Sequence, residues 1–514
     1  MRTRLLRFAL ILLLAVPLAA QTRTPHVTFR VSLASEASSV PVSGRLIVFM
    51  SSKAKGDKLL APEFGPGTRD IWITAKEVHD LKPGESVDID PDEMAYPEKF
   101  EKATPGNYHA MALLDVDHNF VYLGHLSQGD LTGRDGTEEG FNPAQERVVA
   151  LTLKKQFKQK PIDLPPHAEL LDFVSPSLSA FWDRPIHMRG VVVLPPGYSP
   201  KSKSTWPTVY WTHGFTANLD TIVQYVAPTY YASMEQRRSP EMIYVLLDES
   251  CPMGTHEFAD SANNGPWGHA LTTELIPYLE SKYRMDAKPS GRLLNGHSSG
   301  GWAALWLQVT YPDVFGASWP TAPDPSDFRS FMGPNLTMNP PQNMYRRPDG
   351  RPWMLVRSGK KDTESMEDFA KQEQVLGAYG GQMSSFEAVF SPRGPDGRPM
   401  QLFDRKTGDV NPAVEKVWEK YDIAQVLREN WSTLGPKLNG KIHLIVGTED
   451  TFHLEESAHL LEETVKQLGG KWDFRYLPGR NHMDLYRGGL TDQIAIEMYK
   501  VARPGTTFQP VSTH

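Results

Sequence analysis

Near the middle of the chain, Gly296-His297-Ser298-Ser299-Gly300 has the G-x-S-x-G spacing in which a serine hydroxyl serves as a nucleophile. The chemistry explains the spacing. A nucleophile held on a sharp strand-to-helix turn stands in strained backbone, and neighbouring Cβ atoms would collide there, so glycine is needed on both sides. In a chain with 40 glycines the pentapeptide alone is a weak signal. Its surroundings strengthen it. A short strand starting at Arg292 precedes it, and Gly301 permits close packing of helix on strand. Trp302, Leu305, Trp306 and Val309 then fall at the i, i+3, i+4, i+7 spacing of one buried helix face, and Tyr311-Pro312 ends the helix.

A serine hydroxyl needs a base to take its proton, and the base needs a carboxylate to orient it. In a parallel sheet these groups must gather at the C-terminal ends of the strands. Of the 16 histidines, His482 follows the final expected strand, in Leu477-Pro-Gly-Arg-Asn-His482. His453, near a strand end, and His459, in a helix, are its rivals. His297 lies inside the elbow, with its side chain expected to point away from that of Ser298. For the acid, Asp450 ends Gly447-Thr-Glu-Asp450. Glu449 and Asp324 are the alternatives, and a solvated loop carboxylate or a helix cap is the competing role for each. The order Ser298, Asp450, His482 is that of the α/β-hydrolases. Two backbone N–H groups must face the developing oxyanion. Ser299 supplies one at the start of its helix, and Phe215, after His213-Gly214, supplies the other.

The elements that would position these groups can be read from periodicity. From about Glu169, apolar runs without alternation, as in strands covered on both faces, alternate with helices. They are Val191–Leu194, Thr208–Thr212, Met242–Leu247, the elbow strand, Phe315–Pro320, Ile442–Val446 and Trp472–Leu477. Helices are expected over Thr272–Tyr283 and Ser457–Leu468. The fold class is therefore α/β: an α/β-hydrolase fold with a mostly parallel sheet, over residues 169–508. Residues 325–441 interrupt it as a long cap-like insertion, Pro- and Gly-rich, with one clear helix carrying Val414, Val417, Trp418 and Tyr421 on one face. Residues 24–155 read as an all-β, antiparallel sandwich-like domain, because short alternating strands are separated by turns. Residues 156–168 are a linker ending in Leu164-Pro-Pro166. Asp115-Val-Asp-His-Asn119 opens like a calcium loop but has Phe120 where the glycine belongs, so a hairpin turn is expected.

Met1–Ala20 combines Arg2, Arg4 and Arg7 with a short apolar stretch and small residues at Ala19-Ala20, the pattern of a secretory signal, with an uncleaved anchor as the alternative. Export to the periplasm or the medium is expected, without stable membrane insertion after cleavage. The net charge of −7 becomes about −10 once the leader is removed, which argues against a nucleic-acid partner. Cys251 is the only cysteine, so no internal disulfide can form. No metal or other cofactor is expected, and the oligomeric state is open.

The stretches Val193-Leu-Pro-Pro-Gly-Tyr198, Val209-Tyr-Trp-Thr-His-Gly214, Asp260-Ser-Ala-Asn-Asn-Gly-Pro-Trp267, Glu274-Leu-Ile-Pro277, the elbow and Tyr311-Pro-Asp-Val-Phe-Gly316 together resemble the putative esterase family of α/β-hydrolases, related to enterochelin esterase, esterase D and feruloyl esterases. The resemblance spans about Arg189 to Arg487. It implies a serine esterase with Ser298 as nucleophile, His482 as base and Asp450 as acid. Ser261 and Trp267 lie in a loop near the site in such enzymes and are candidate substrate-binding residues, with ordinary loop packing as the alternative. The insertion is absent from compact members, so their specificity does not transfer. The β-rich region is similar to the sandwich preceding the hydrolase in enterochelin esterases. The expected function is an exported serine esterase acting through an acyl-enzyme on a small-molecule or polymer-linked ester of carbohydrate or siderophore type. An acyltransferase, a peptidase of the same fold and a non-catalytic binding protein are the rivals.

Overall fold

Eight strands between Ala168 and Leu477 line up edge to edge as one mixed sheet in the computed structural model, which describes residues 26–65, 68–122, 124–133, 140–145, 147–377 and 381–511. The leader expected over Met1–Ala20 lies outside these residues. The lateral order is Ala168–Val174, His187–Val193, Ile243–Leu247, Thr208–Thr212, Arg292–His297, Ala317–Thr321, His443–Gly447 and Asp473–Leu477. The first two joins are antiparallel and every later one is parallel. Ile243–Leu247 and Ala317–Thr321 are buried at every position, as unalternating runs should be. Successive side chains feed opposite layers. Val191 and Val193 enter one core and Val192 the other, and Leu293 and Leu294 divide in the same way.

The helix after the elbow, Ser299–Thr310, departs from its expected single buried face, since Ser299 to Val309 are all buried. Ala303, Ala304 and Leu307 join one core, while Trp302, Leu305, Trp306 and Val309 join the other. The reason is the insertion. Its Phe390 lies 5.1 Å from Trp302 and its Tyr421 lies 5.5 Å from Trp306, ring to ring, over the face that would otherwise meet water. The insertion is also more regular than its composition suggests. Besides Pro412–Trp418, which carries the expected face, it forms the hairpin Met354–Ser358 with Lys361–Ser365 and the helices Met366–Leu376, Gln382–Phe390 and Ile423–Leu438.

The first part of the chain forms a three-stranded and a six-stranded sheet around a core that includes Phe29, Val48, Ala112 and Leu151. The expectation of purely antiparallel pairing fails at one place. Val27–Leu33 runs parallel to Arg147–Leu153. Strands separated by so much chain can pair in either sense, whereas a short hairpin permits only the antiparallel one. The six-stranded sheet is covered on its second face too: Ile47, Phe49 and Leu113 belong to the same core as Phe369 and Val375 of the insertion. Arg45 reinforces this contact by donating to the Val375 carbonyl at 3.0 Å. The Asp115–Asn119 stretch turns out of strand His109–Asp115, which pairs antiparallel with Leu131–Thr132. Asp115 accepts the N–H groups of Asn119 and Phe120 and so closes a turn. No helix among the described residues is long and apolar enough to cross a membrane.

Candidate active site

Ser298 stands between strand and helix with φ 61° and ψ −126°. A side chain in that region costs about 1–3 kcal/mol and persists only where the surroundings over-determine it. Glycine makes the turn possible. A Cβ at Gly296 would sit 2.0 Å from the Gly300 carbonyl oxygen, and one at Gly300 would sit 2.4 Å from that of Thr212. Gly301 brings the helix against Thr321, whose carbonyl accepts the Ser298 N–H at 3.0 Å.

His482 follows the last strand and Asp450 the one before it. His482 Nδ1 donates to Asp450 Oδ2 at 2.8 Å, and both side chains are buried. Asp450 Oδ1 accepts the Phe452 N–H at 2.9 Å, so this carboxylate closes the turn before helix Leu454–Gln467 and holds the imidazole at once. Burial works to raise the Asp450 pKa, but the His482 charge and hydrogen bond outweigh it and hold the carboxyl below its ordinary range. Burial likewise works to lower the His482 pKa. The charge and hydrogen bond of Asp450, with the charge of Asp324, leave it raised. Arg357 of the insertion donates from Nε to the Asp450 carbonyl at 2.8 Å and pairs with Glu455 at 2.6 Å, bracing the loop from outside.

The alternative groups have other partners. Asp324 accepts the Ser299 hydroxyl at 2.6 Å, and burial pushes its pKa up to about 6 against that bond. The Glu449 carboxylate faces Gly359, within 3.8 Å of where a Cβ would stand there. His453 lies 3.6 Å from Asp362, and the His459 ring stacks on Tyr476. His297 is a correction. Rather than pointing away, it lines the same cavity as Ser298, with its ring 4.5 Å from that of His482. Burial first, then the neighbouring imidazole, push its pKa down to about 3, so it meets His482 as a neutral ring.

Gly214 brings its loop onto the elbow, where a Cβ would lie 3.0 Å from Ser298 Cβ and 3.7 Å from its Oγ. His213 sets this loop. Its Nε2 lies 2.9 Å from the Glu249 backbone nitrogen and 3.2 Å from the Asp248 carboxylate, while its Nδ1 donates to the Gly214 carbonyl at 2.8 Å. Because a trans peptide directs C=O and N–H in opposite senses, this bond turns the Phe215 N–H the other way. Ser299 opens the elbow helix, where the first N–H groups lack partners within the helix.

Ser298, His297, His482, Asp324, Gly214 and Phe215 border one cavity of about 370 Å³. Its remaining wall is largely apolar and comes from three stretches of chain. Phe64 and Tyr122 belong to the β-rich first part. Met332, Leu355, Phe369, Met383 and Phe386 belong to the insertion. Phe452 and Leu454 follow Asp450. The position of Tyr122 is pinned by Glu373, which accepts its hydroxyl and the N–H groups of Gln382 and Met383 at the start of helix Gln382–Phe390. Nothing in the spacing of the sequence flags Tyr122, Glu373 or Arg357, since Arg357 meets Asp450 across 93 residues and Tyr122 meets Glu373 across 251.

Ser261 and Trp267, expected as possible substrate contacts, do not border this cavity. Ser261 donates to the Ala388 carbonyl at 2.9 Å, and Trp267 stacks on His256 at 3.6 Å, so both brace the walls from behind. Burial pushes the Cys251 thiol up to about 12, a range in which thiolate is scarce at neutral pH. Among the described residues His26, Asp90 and Asp92 bring potential ligand atoms within 4.8 Å of one another, on the β-rich part of the chain and on no wall of this cavity.

Residues 184–489 match the family model described as putative esterase. A Bacillus subtilis (strain 168) relative, the uncharacterized protein YbbA, is 27% identical over 139 residues, which cover 25% of this chain and 53% of the relative. The chain thus spans about half the length of that curated relative. The Staphylococcus aureus fluorophosphonate-binding serine hydrolase F is similar at 14% identity over 64% of this chain and 97% of that one, with a TM-score of 0.39. An S-formylglutathione hydrolase from Agrobacterium tumefaciens is similar at 14% identity over 65% and 94%, with a TM-score of 0.39. A ferulic acid esterase from Anaeromyces mucronatus is similar at 16% identity over 66% and 92%, with a TM-score of 0.34.

Proposed function

The chain belongs to the putative esterase family, and from that premise we propose that it is a carboxylic ester hydrolase working through a Ser298–His482–Asp450 triad and an acyl-enzyme. Ser298 attacks the ester carbonyl while His482 takes its proton. Asp450 stabilises the imidazolium that forms. The N–H groups of Phe215 and Ser299 receive the oxyanion. His482 returns the proton to the departing alcohol, and water, activated by the same imidazole, releases the acid. The observation that carries this reading is that His482, in its buried pair with Asp450, borders the cavity that also holds the strained Ser298.

The apolar wall of the cavity favours an uncharged, apolar acyl group, because burying a carboxylate or ammonium there would cost several kcal/mol without a partner (on the order of the usual desolvation penalty). Residues 325–441 act as a cap, since they supply much of that wall and the Arg357 brace. The β-rich first part of the chain is a sandwich-like domain that closes one side of the cavity with Phe64 and Tyr122, which lie on connections between its strands. The leader composition supports export, with hydrolysis taking place in the periplasm or outside the cell.

The test is Ser298→Ala. Turnover of an aryl ester should fall by about 10⁴-fold or more, and covalent labelling by a fluorophosphonate should vanish, with the melting temperature unchanged. Activity retained in that variant refutes the assignment.

A further inference from the structure

A second cavity, of about 510 Å³, shares Phe215, Thr216 and Ala217 with the first as a common wall. Its lining is different in kind. Asp117, Asn119 and Ser127 face it from the β-rich first part of the chain, and Arg189, Asn218 and Ser250 from the α/β part. The first three lie on the long connection between strands His109–Asp115 and Leu131–Thr132.

Among its described residues that connection has no helix or strand of its own, yet it is braced from within. Asp115 and Asp130 are fully buried. Asp115 holds the N–H groups of Asn119 and Phe120 at 3.3 and 3.0 Å. Asp130 holds those of Val116 and Ser127 at 3.1 and 2.6 Å. The Ser127 hydroxyl donates to Asn119 Oδ1 at 2.9 Å. Long irregular loops inside compact proteins are uncommon unless they serve a function, and one stapled by two buried carboxylates presents its outer side chains without paying for order at the moment of binding. Thr216, in the shared wall, has φ 70°, a second non-glycine residue near Ser298 held in the left-handed region.

An ester seated at the Phe215 loop must direct its acyl and alkoxy parts to different places. One neighbouring cavity is apolar. The other carries Asp117 and Arg189, the imidazole of His125, whose pKa burial lowers, and amide or hydroxyl groups from Asn119, Ser127, Thr216, Asn218 and Ser250, so neither charge is in excess. We propose that the second cavity holds the alcohol side of the ester, and that this alcohol is an uncharged polyhydroxylated group contacted by Asp117, Asn119 and Ser127. The β-rich part of the chain is then part of the substrate site rather than a separate module. This rests on Ser298 being the nucleophile.

The experiment compares methyl 6-O-butyryl-glucopyranoside with ethyl butyrate, which share an acyl group, on the full chain. The kcat/KM ratio of the sugar ester to the ethyl ester should exceed one in the wild type. It should fall at least tenfold in Asp117→Ala and in Asn119→Ala, through KM rather than kcat, at unchanged melting temperature. Asn119→Ala also removes the Ser127 bond, so Asp117→Ala, whose side chain is exposed, is the variant that leaves the loop's internal bonds in place. A wild-type ratio below one, or a ratio that neither variant changes, overturns the proposal. Ethyl butyrate hydrolysis surviving in Ser298→Ala would instead overturn the nucleophile beneath it, so the two failures are separable.

Discussion

His482 donates from Nδ1 to Asp450 Oδ2 at 2.8 Å, while Oδ1 of the same carboxylate is engaged by the Phe452 N–H. The Asp450 carboxylate is therefore fixed by its own turn while it orients the His482 imidazole. In Asp450→Asn the amide can still cap the turn but favours the wrong tautomer of His482, so kcat should fall by about 10⁴-fold with little change in melting temperature. Glu449→Gln, one residue away, should stay within about twofold of wild type. Steady-state kinetics on one aryl ester decides it, and equal losses in the two variants would count against Asp450.

The pH profile follows from the same pair. The proposed mechanism needs neutral His482, whose pKa is raised above 6.5 by Asp450 and Asp324 against the opposing effect of burial. kcat/KM on a neutral ester should thus rise with pH around a midpoint above 6.5, and Asp450→Asn should move that midpoint down in its residual activity. For stability the signs differ within the pair. The raised His482 pKa contributes stability that is complete below the unfolded value and fades as pH rises through the folded one. The lowered Asp450 pKa contributes stability above the unfolded carboxyl value that fades as pH falls through the folded one. Denaturation of wild type and Asp450→Asn across pH should show the largest difference between those two windows.

Glycines around the nucleophile should separate into two kinds. At Gly300 a Cβ would meet backbone oxygens of Thr212 and His213 at 2.4 and 2.5 Å, which cannot withdraw, so Gly300→Ala should destabilise the fold by about 3 kcal/mol or more. At Gly214 the nearest atom is Ser298 Cβ at 3.0 Å, and a small shift of the loop relieves it. Gly214→Ala should keep most of its stability but displace the Phe215 N–H, lowering kcat by about 10²–10³-fold. A melting curve and one kinetic assay per variant separate these outcomes.

Glu373 joins Tyr122 to the start of helix Gln382–Phe390, and thereby two walls of the cavity. Glu373→Ala leaves buried donors without an acceptor, at about 1–3 kcal/mol each. The expected result is a clear drop in melting temperature together with a raised KM for butyrate esters. Tyr122→Phe, which removes one donor and keeps the ring, should be much milder in both. A Glu373→Ala protein as stable as wild type would show that the carboxylate is dispensable.

What could be read from residue order was local, or repeated at fixed spacing. The glycines around Ser298 announce a strained turn because only a missing Cβ fits it. The apolar runs Thr208–Thr212, Met242–Leu247 and Ile442–Val446 announce buried strands, and a parallel sheet then requires functional groups at the C-terminal ends of its strands, which is how His482 and Asp450 became candidates. Where a contact joins distant segments, no such rule operates. The position of the His297 ring against His482, the Arg357 brace, the Tyr122–Glu373 link and the Asn119 loop beside Phe215 depend on how three long stretches of chain close over one another. Packing of that kind is set by shape and by satisfied buried polar groups, neither of which leaves a period or a motif in the sequence. Residue order thus determined the chemistry available to this protein, and the tertiary structure decided which walls enclose it.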